Sequence, residues 1–546
     1  MTSTDATAGS GSPTTAAPDY EVLIIGAGIG GICAGIKLQQ KGVDDFLIVD
    51  RNAGVGGVWY THDYPDAGCD LPSMTYQFSF ARKPDWDRFF AKRDQILAYL
   101  QDVADQHGLP AKTRFNTSVV KEVWDDDARL WRLHVSDGEV ITARFVISAI
   151  GIYLNAKSRP DIAGLDDFEG KVMHSAHWDS DYDFTDKRVA IIGVGASTMQ
   201  IAPQLAPQAR TLDLYQRTPQ IYLPKPDFPM PQWGQRILAI PGLVAGVLRL
   251  VYGIADIVMG FAIHAPEPLW RRSSAVVDFI GHRAYNAWLW ANVRDKATRD
   301  KLRIDFGVVC VRGGLAGRYL SNLNRSNVEL ITTPIAEITS DGIRTADGTE
   351  RKIDALVLAT GYEVFSDPES YREGAVIGRN GFDLGNFYNT EGLEAYMSTS
   401  VADIPNRFIM VGPYSWTGGA SFFAVLETAT AHIVEVIDET RKRGAVVVEA
   451  RPEAQERFHQ DMLRSGRNLS YYLVDRCAGS NTYFVNSQNE SPYIRPWTLR
   501  KANRQATRFD RDDYVYRSGI DSGIEPSEMI ADARFAAPSK ASAAAS

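Results

Sequence analysis

Twice along this chain an apolar, strand-like run feeds straight into a glycine-rich loop. Glu21-Val-Leu-Ile-Ile25 enters Gly26-Ala-Gly28-Ile-Gly-Gly31, and Arg188-Val-Ala-Ile-Ile192 enters Gly193-Val-Gly195-Ala-Ser-Thr198. Short continuous apolar runs of this kind suit parallel strands buried on both faces. After the first loop a helical pattern runs to about Gln40, and Phe46-Leu-Ile-Val49 is a second strand that ends in Asp50. The order strand, loop, helix, strand, acid is the setting in which GxGxxG specifies a dinucleotide site. Gly26 allows the tight turn. Gly28 lets backbone approach a pyrophosphate seated on the helix N-terminus, and Gly31 lets helix and strand pack closely. Asp50 would accept hydrogen bonds from a ribose hydroxyl. The expected fold is α/β, with two Rossmann-like dinucleotide-binding domains.

The second loop carries threonine, Thr198, at the third glycine position, which predicts a helix standing slightly further from its strand. Twenty-four residues separate Gly26 from Asp50, and the same offset from Gly193 falls on Arg217, after the strand Leu212–Tyr215. A guanidinium where an acid would read a 2′-hydroxyl suits a 2′-phosphate, which it can grip with two hydrogen bonds. Gly193, Gly195, Ser197, Thr198, Gln200, Arg217 and Thr218 are the candidate contacts at this second site. Between the two units, Gly56-Gly57-Val-Trp59 looks like the turn that passes a flavin. Gly57 would let the chain pass close, and Trp59 would pack against the ring or serve as a core tryptophan. The first nucleotide is therefore read as FAD and the second as NADPH.

At 546 residues the chain needs more than one core. The expected division is a tail at 1–18, an FAD-binding domain from 19–153 and 366–534, and an NADPH-binding domain from 154–221 and 306–365. A helical insertion occupies 222–305, and a second tail 535–546. The insertion is rich in Leu, Ile, Val and Trp, and is expected either to wall an apolar pocket or to form its own small core. Its most apolar part, 237–263, is interrupted by Arg249 and Asp256, so buried helices are expected rather than an integral membrane span, with peripheral membrane contact as the alternative. Net charge is −9, with no basic footprint for nucleic acid. Four cysteines without CxxC spacing suggest neither a disulfide framework nor a metal site, and hence a reducing cytoplasm. Oligomeric state stays open.

The stretch between the loops, Phe168-Glu-Gly170-Lys-Val-Met-His174-Ser-Ala-His-Trp178-Asp179, resembles the FxGxxxHxxxW-Pro/Asp pattern of the Baeyer–Villiger monooxygenases, within the class B flavin monooxygenases. Related N/S-monooxygenases usually place Tyr at the Trp178 position. A second pattern of the family matches through Gly56, Gly57, Trp59, Tyr64, Pro65 and Asp70, and departs at Asp66, where the family has Gly or Met.

The resemblance implies FAD, NADPH, O2 and a ketone as reactants, a C4a-peroxyflavin as the oxidant, and an ester or lactone as product. The family's active-site arginine, which precedes an Asn-Arg pair by a fixed distance, falls on Arg312 ahead of Asn324-Arg325. Asp70 is then implied to orient it, so catalysis is assigned to Arg312 and Asp70. An always-charged guanidinium suits an anionic oxidant and a tetrahedral adduct. The family's neighbouring lysine is replaced by Val311. The region around 156–184 is otherwise irregular in pattern, so Phe168, Gly170, His174, Trp178 and Asp179 are assigned a positional role in a linker between domains. A sulfide or amine oxygenase on the same scaffold is the alternative. A dithiol reductase would need a paired CxxxxC or CxxC beside the flavin, which the chain lacks. If Arg217 reads a 2′-phosphate, Arg217→Ala raises KM for NADPH by about tenfold or more and leaves KM for NADH nearly unchanged; an equal change for both cofactors refutes that role.

Overall fold

The computed structural model describes residues 17–518. The expected tails and the end of the segment drawn to 534 fall wholly or partly outside that range. The first glycine unit is β1 (Tyr20–Ile25), α1 (Ile29–Gln40) and β2 (Phe46–Val49). Val22, Leu23 and Ile24 are fully buried, as their uninterrupted apolar run requires. These strands belong to an eight-stranded sheet. Its parallel part runs in the order Arg407–Ile409, Val140–Ser148, β1, β2, Thr113–Arg114. The sequence pattern suggests two short strands at 140–143 and 145–149. They are one strand, Val140–Ser148, that changes partners. Its first half pairs antiparallel with Leu130–Val135, and its second half pairs parallel with β1.

The second unit is β3 (Arg188–Ile192), α2 (Ala196–Leu205) and β4 (Thr211–Tyr215). Its sheet has five strands, all parallel, in the order Val328–Ile331, β4, β3, Ala355–Leu358, Lys171–His174. The last of these corrects the sequence reading. The region expected as irregular linker contributes an edge strand, because Lys171 to His174 align with Ala355 to Leu358.

Both loops pass hard against the carboxyl end of a neighbouring strand. A Cβ on Gly26 (φ +108°) would stand 2.6 Å from the Ala149 carbonyl oxygen, and one on Gly193 (φ +105°) 2.3 Å from that of Ala359. The third positions differ. A Cβ on Gly31 would lie 1.8 Å from the Gly26 carbonyl oxygen, whereas Thr198 accommodates its side chain and donates from Oγ1 to the Gly193 carbonyl at 2.8 Å.

Immediately after Ala149 and Ala359 the chain crosses between the sheets, once in each direction. The two crossings pair as a short antiparallel ribbon, Tyr153–Ala156 with Tyr362–Val364. Helices occupy most of the stretch between the second unit and the return of the parallel sheet, chiefly α3 (Leu243–His264) and α4 (Glu267–Asn292). They are not the buried helices expected: Leu250, Ile257 and Phe261 of α3 and Val276, Phe279 and Trp290 of α4 face outward. α5 (Phe422–Lys442) then packs along α1.

The cysteine reading is also corrected. Cys310 and Cys477 form a disulfide across 167 residues of sequence, a proximity that only the fold creates, while Cys33 and Cys69 are free and buried.

One buried ion pair ties the first sheet together. Arg407 donates through Nε and Nη2 to the two carboxylate oxygens of Glu122 at 2.8 and 2.9 Å, with both side chains almost fully enclosed. Removing one partner strands a buried charge. Glu122→Ala is expected to lower stability by about 3–5 kcal/mol, seen as a fall in the guanidinium midpoint; an unchanged midpoint refutes this weight.

Candidate active site beside the ribbon

The Arg312 loop is fixed on both sides. Two residues before it, Cys310 is bonded to Cys477. Two residues after it, Gly314–Leu315 pairs parallel with Tyr222–Leu223. Val311 is buried in the apolar cluster of the second sheet, where a lysine would have to leave its charge. The guanidinium Nη2 stands 4.0 Å from Asp70 Oδ2, with 41% of the arginine side chain and 16% of the aspartate exposed. Thus the structure brings together the two residues assigned to catalysis, 242 positions apart in the chain.

Three tyrosines complete the surroundings. Tyr483 and Tyr153 lie against the guanidinium. Tyr493 packs on Tyr483 with ring centres 5.1 Å apart. Burial works against the Arg312 charge, but the oxygens of Tyr483, Tyr153 and Asp70 outweigh it and hold its pKa above the ordinary value. Burial pushes the Tyr483 phenol up to about 12. Sequence reasoning missed all three tyrosines. Tyr153 sits on the ribbon, Tyr483 and Tyr493 lie in a loop-rich region, and no local pattern links either to residue 312.

On the approach to Asp70 the structure accommodates Asp66 where the family pattern has Gly or Met. Asp66 occupies a left-handed conformation (φ +66°), which Gly adopts freely and Asp tolerates. Lys92 Nζ pairs with its carboxylate at 2.7 Å, so the extra charge is countered locally. Gln200, a candidate at the second nucleotide site, also makes a structural tie. Its amide both accepts from Gly68 N–H (3.2 Å) and donates to Gly68 C=O (3.1 Å), tying α2 to the loop that carries Asp70.

The nucleotide candidates divide clearly. Asp50 accepts from Ala27 N–H (2.6 Å) and Asn52 N–H (2.7 Å), which seats its carboxylate at the mouth of the first loop. Gly57 lies so close to Gly28 that a Cβ on it would stand 2.9 Å from the Gly28 Cα. Trp59 is half-buried at the edge of the first core, and its Nε1–H donates to Tyr76 Oη at 3.1 Å. Arg217 follows β4, exposed, with Thr218 beside it. Ser197 lies at Tyr64.

Both glycine loops fit a dinucleotide. Neither α1 nor α2 has a side-chain cap or an acidic residue in its first turn, so their leading N–H groups are left for an anion. A Cβ on Gly195 would meet nothing within 4 Å, leaving an open cradle above the helix end. Among the described residues no His/Cys/Asp/Glu group could hold a metal ion.

The fingerprint stretch lies at the edge of this site. Phe168 is buried among Ala190, Ile338 and Leu356. Its ring folds back over Gly170, where a Cβ would lie 2.4 Å from it. Trp178 stacks on Phe184, and Asp179 pairs with Lys171. His174, at the end of the edge strand, meets Tyr362 of the ribbon edge-on, and Tyr362 Oη bonds with His62 Nε2. His174 Nδ1 accepts from Ala176 N–H at 3.0 Å. None of these residues contacts Arg312 as a reacting group.

Residues 23–231 match the family model described as pyridine nucleotide-disulphide oxidoreductase. The disulfide of this chain lies outside that stretch. The chain is 35% identical over 506 residues to a Baeyer-Villiger monooxygenase of Pseudomonas aeruginosa, with 92% of each chain covered. It is 33% identical over 498 residues to a Baeyer-Villiger monooxygenase of Streptomyces coelicolor, covering 90% of this chain and 92% of that one. Among solved structures it is similar to cyclohexanone monooxygenase from Rhodococcus sp. Phi1 bound to NADP+. That match has a TM-score of 0.79 and 26% identity, and covers 92% of this chain and 100% of the other. The fold is the α/β fold of flavin monooxygenases. At this identity and coverage, the chain belongs to the Baeyer–Villiger monooxygenase family.

Burial holds the pKa of His62 and of His174 down, each to about 4, with the nearby histidines adding to the effect. Both are therefore neutral when folded at pH 6, where an unfolded histidine near 6.5 is largely protonated. The unfolded state binds more protons in this window, so stability falls as pH drops from 6.5 towards 4. His174→Gln is expected to flatten that fall, measured by denaturant unfolding at pH 7 and pH 5; an unchanged pH dependence refutes the assignment.

Proposed function

We propose that this chain is an FAD- and NADPH-dependent monooxygenase that inserts one oxygen atom beside a ketone carbonyl. A ketone, O2, NADPH and a proton become an ester or lactone, NADP+ and water. FAD takes the first glycine loop and Asp50, and NADPH takes the second loop with Arg217 at its 2′-phosphate. When bound, the two cofactors supply the hydride and the activated oxygen.

The protein's own work is positional and electrostatic. Arg312 remains charged at any working pH and stabilises the negative charge that develops on oxygen as the carbonyl is attacked. Asp70, at 4.0 Å, orients it and offsets its charge in the ground state. Tyr153 and Tyr483 bring their phenol groups to the guanidinium, with Tyr493 packed on Tyr483, and so help to orient it. The fingerprint residues fix the second sheet's edge to the ribbon. Trp178 and Arg312 together favour ketone over heteroatom oxygenation. The substrate is an apolar ketone, with room for cyclic or bulky examples as the finer reading.

The observation that carries this reading is the pairing of Arg312 with Asp70 on a loop anchored by a disulfide and a strand. Arg312→Ala is expected to lower ester or lactone formation by about 100-fold or more while leaving flavin reduction by NADPH near the parent rate. Product analysis and anaerobic stopped-flow absorbance read the two steps separately. A variant that still forms ester at the parent rate refutes the role of Arg312.

A further inference from the structure

α3 presents an unusual face. It is 22 residues long, its most apolar window has a mean hydropathy of 1.8, and only 11% of that window is buried. Leu250, Ile254, Ile257, Val258 and Phe261 recur at helical spacing along its outer side. Ile257 is 74% exposed, Leu250 67% and Ile254 55%. The row continues into the preceding helix Gln232–Leu238, where Trp233 is 68% exposed. A soluble protein rarely leaves a contiguous apolar strip of this length uncovered.

The inner side of the same helix is committed to the protein body. Val244, Met259 and Ala262 are buried. Tyr252 Oη donates to Ser421 Oγ at 3.2 Å. The carboxylate of Asp256 points inward and accepts from the N–H groups of Leu499 (2.6 Å) and Arg500 (3.2 Å), capping the helix Leu499–Thr507. Asn468 donates to the carbonyls of Ala262 and Ala265. Fastened along its length in this way, α3 cannot cross a bilayer without giving up those bonds, although at about 33 Å it is long enough.

On α3 itself the outward-facing charge is basic. Arg249 is exposed on α3, Arg236 precedes it, and Arg500 is exposed at the start of the neighbouring helix; none makes an ion pair among the described residues. The only acidic residue of α3 is turned inward. A two-fold pairing with a second copy would bring Arg249 towards Arg249 with no carboxylate on the face to answer it. An anionic lipid surface answers both features: headgroups meet the guanidinium groups, and acyl chains take the apolar row. An indole at the edge of the row suits the interface between them.

We propose that the outer face of α3, with Trp233 at its edge, docks the enzyme flat on an anionic phospholipid membrane. The test is flotation of the full-length, FAD-loaded protein, without detergent, on vesicles of phosphatidylcholine alone and of phosphatidylcholine mixed with phosphatidylglycerol. The parent protein is expected to float with the mixed vesicles and to be released by high salt. Ile254→Glu/Ile257→Glu is expected to lower the floated fraction by about tenfold or more, and Arg249→Glu to lower it on mixed vesicles only. Retained flavin absorbance and NADPH oxidation show that the variants are folded. Three outcomes overturn the proposal. The parent protein stays unbound to mixed vesicles, or the double variant floats as well as the parent, or sedimentation shows a dimer of the parent that the double variant converts to monomer.

Discussion

Backbone pressed against backbone governs this molecule. At Gly26 and at Gly193 the chain leaves a buried strand and turns within van der Waals reach of a carbonyl on the strand beside it. No side chain fits in either gap. That contact lets the helix that follows start at the carboxyl edge of its sheet with its N–H groups uncapped. It also fixes where the neighbouring strands must end, at Ala149 and Ala359. Both crossings between the sheets therefore begin beside the mouths of the two loops. The ribbon, the tyrosines on it and the place of Arg312 follow from that arrangement.

Charge is handled by local pairing rather than by a broad field. Arg312 faces Asp70, Lys92 answers Asp66, and Arg407 is enclosed with Glu122. Only the first of these pairs is left loose, at 4.0 Å and partly open, whereas Arg407 and Glu122 meet through two short hydrogen bonds and are shut away from water. A guanidinium needed for an incoming anion has to keep donor groups free. One needed for structure does not. The histidines at the ribbon are held differently: burial keeps the pKa of His62 and His174 down, so neither adds a charge there at neutral pH.

Much of this was legible in the sequence because the information was local. The strands around 22–25 and 188–192 with the helix after each loop, and the Asp50 offset in the first, each lie within a single βαβ unit. Arg312 came only from the family resemblance, which places its arginine ahead of Asn324-Arg325. What could not be read depends on distant pairings. Lys171 to His174 resemble loop until Ala355 to Leu358 are beside them. Cys310 gives no hint of Cys477, and Tyr483 gives none of Arg312. The helical character of the insertion was legible, but not its environment. Apolar periodicity shows that a face will avoid water and says nothing of what covers it.

The ribbon of Tyr153–Ala156 and Tyr362–Val364 is only two strands wide. Were one sheet to turn against the other, the axis of that turn would run along these crossings. Points on an axis sweep almost no arc, while points far from it sweep a great deal. Tyr153, Tyr362 and the groups they touch would keep their spacing through such a turn, and the outer rims of the glycine loops would travel. The fold thus has the layout of a pair of tongs whose working parts lie at the pivot and not at the tips.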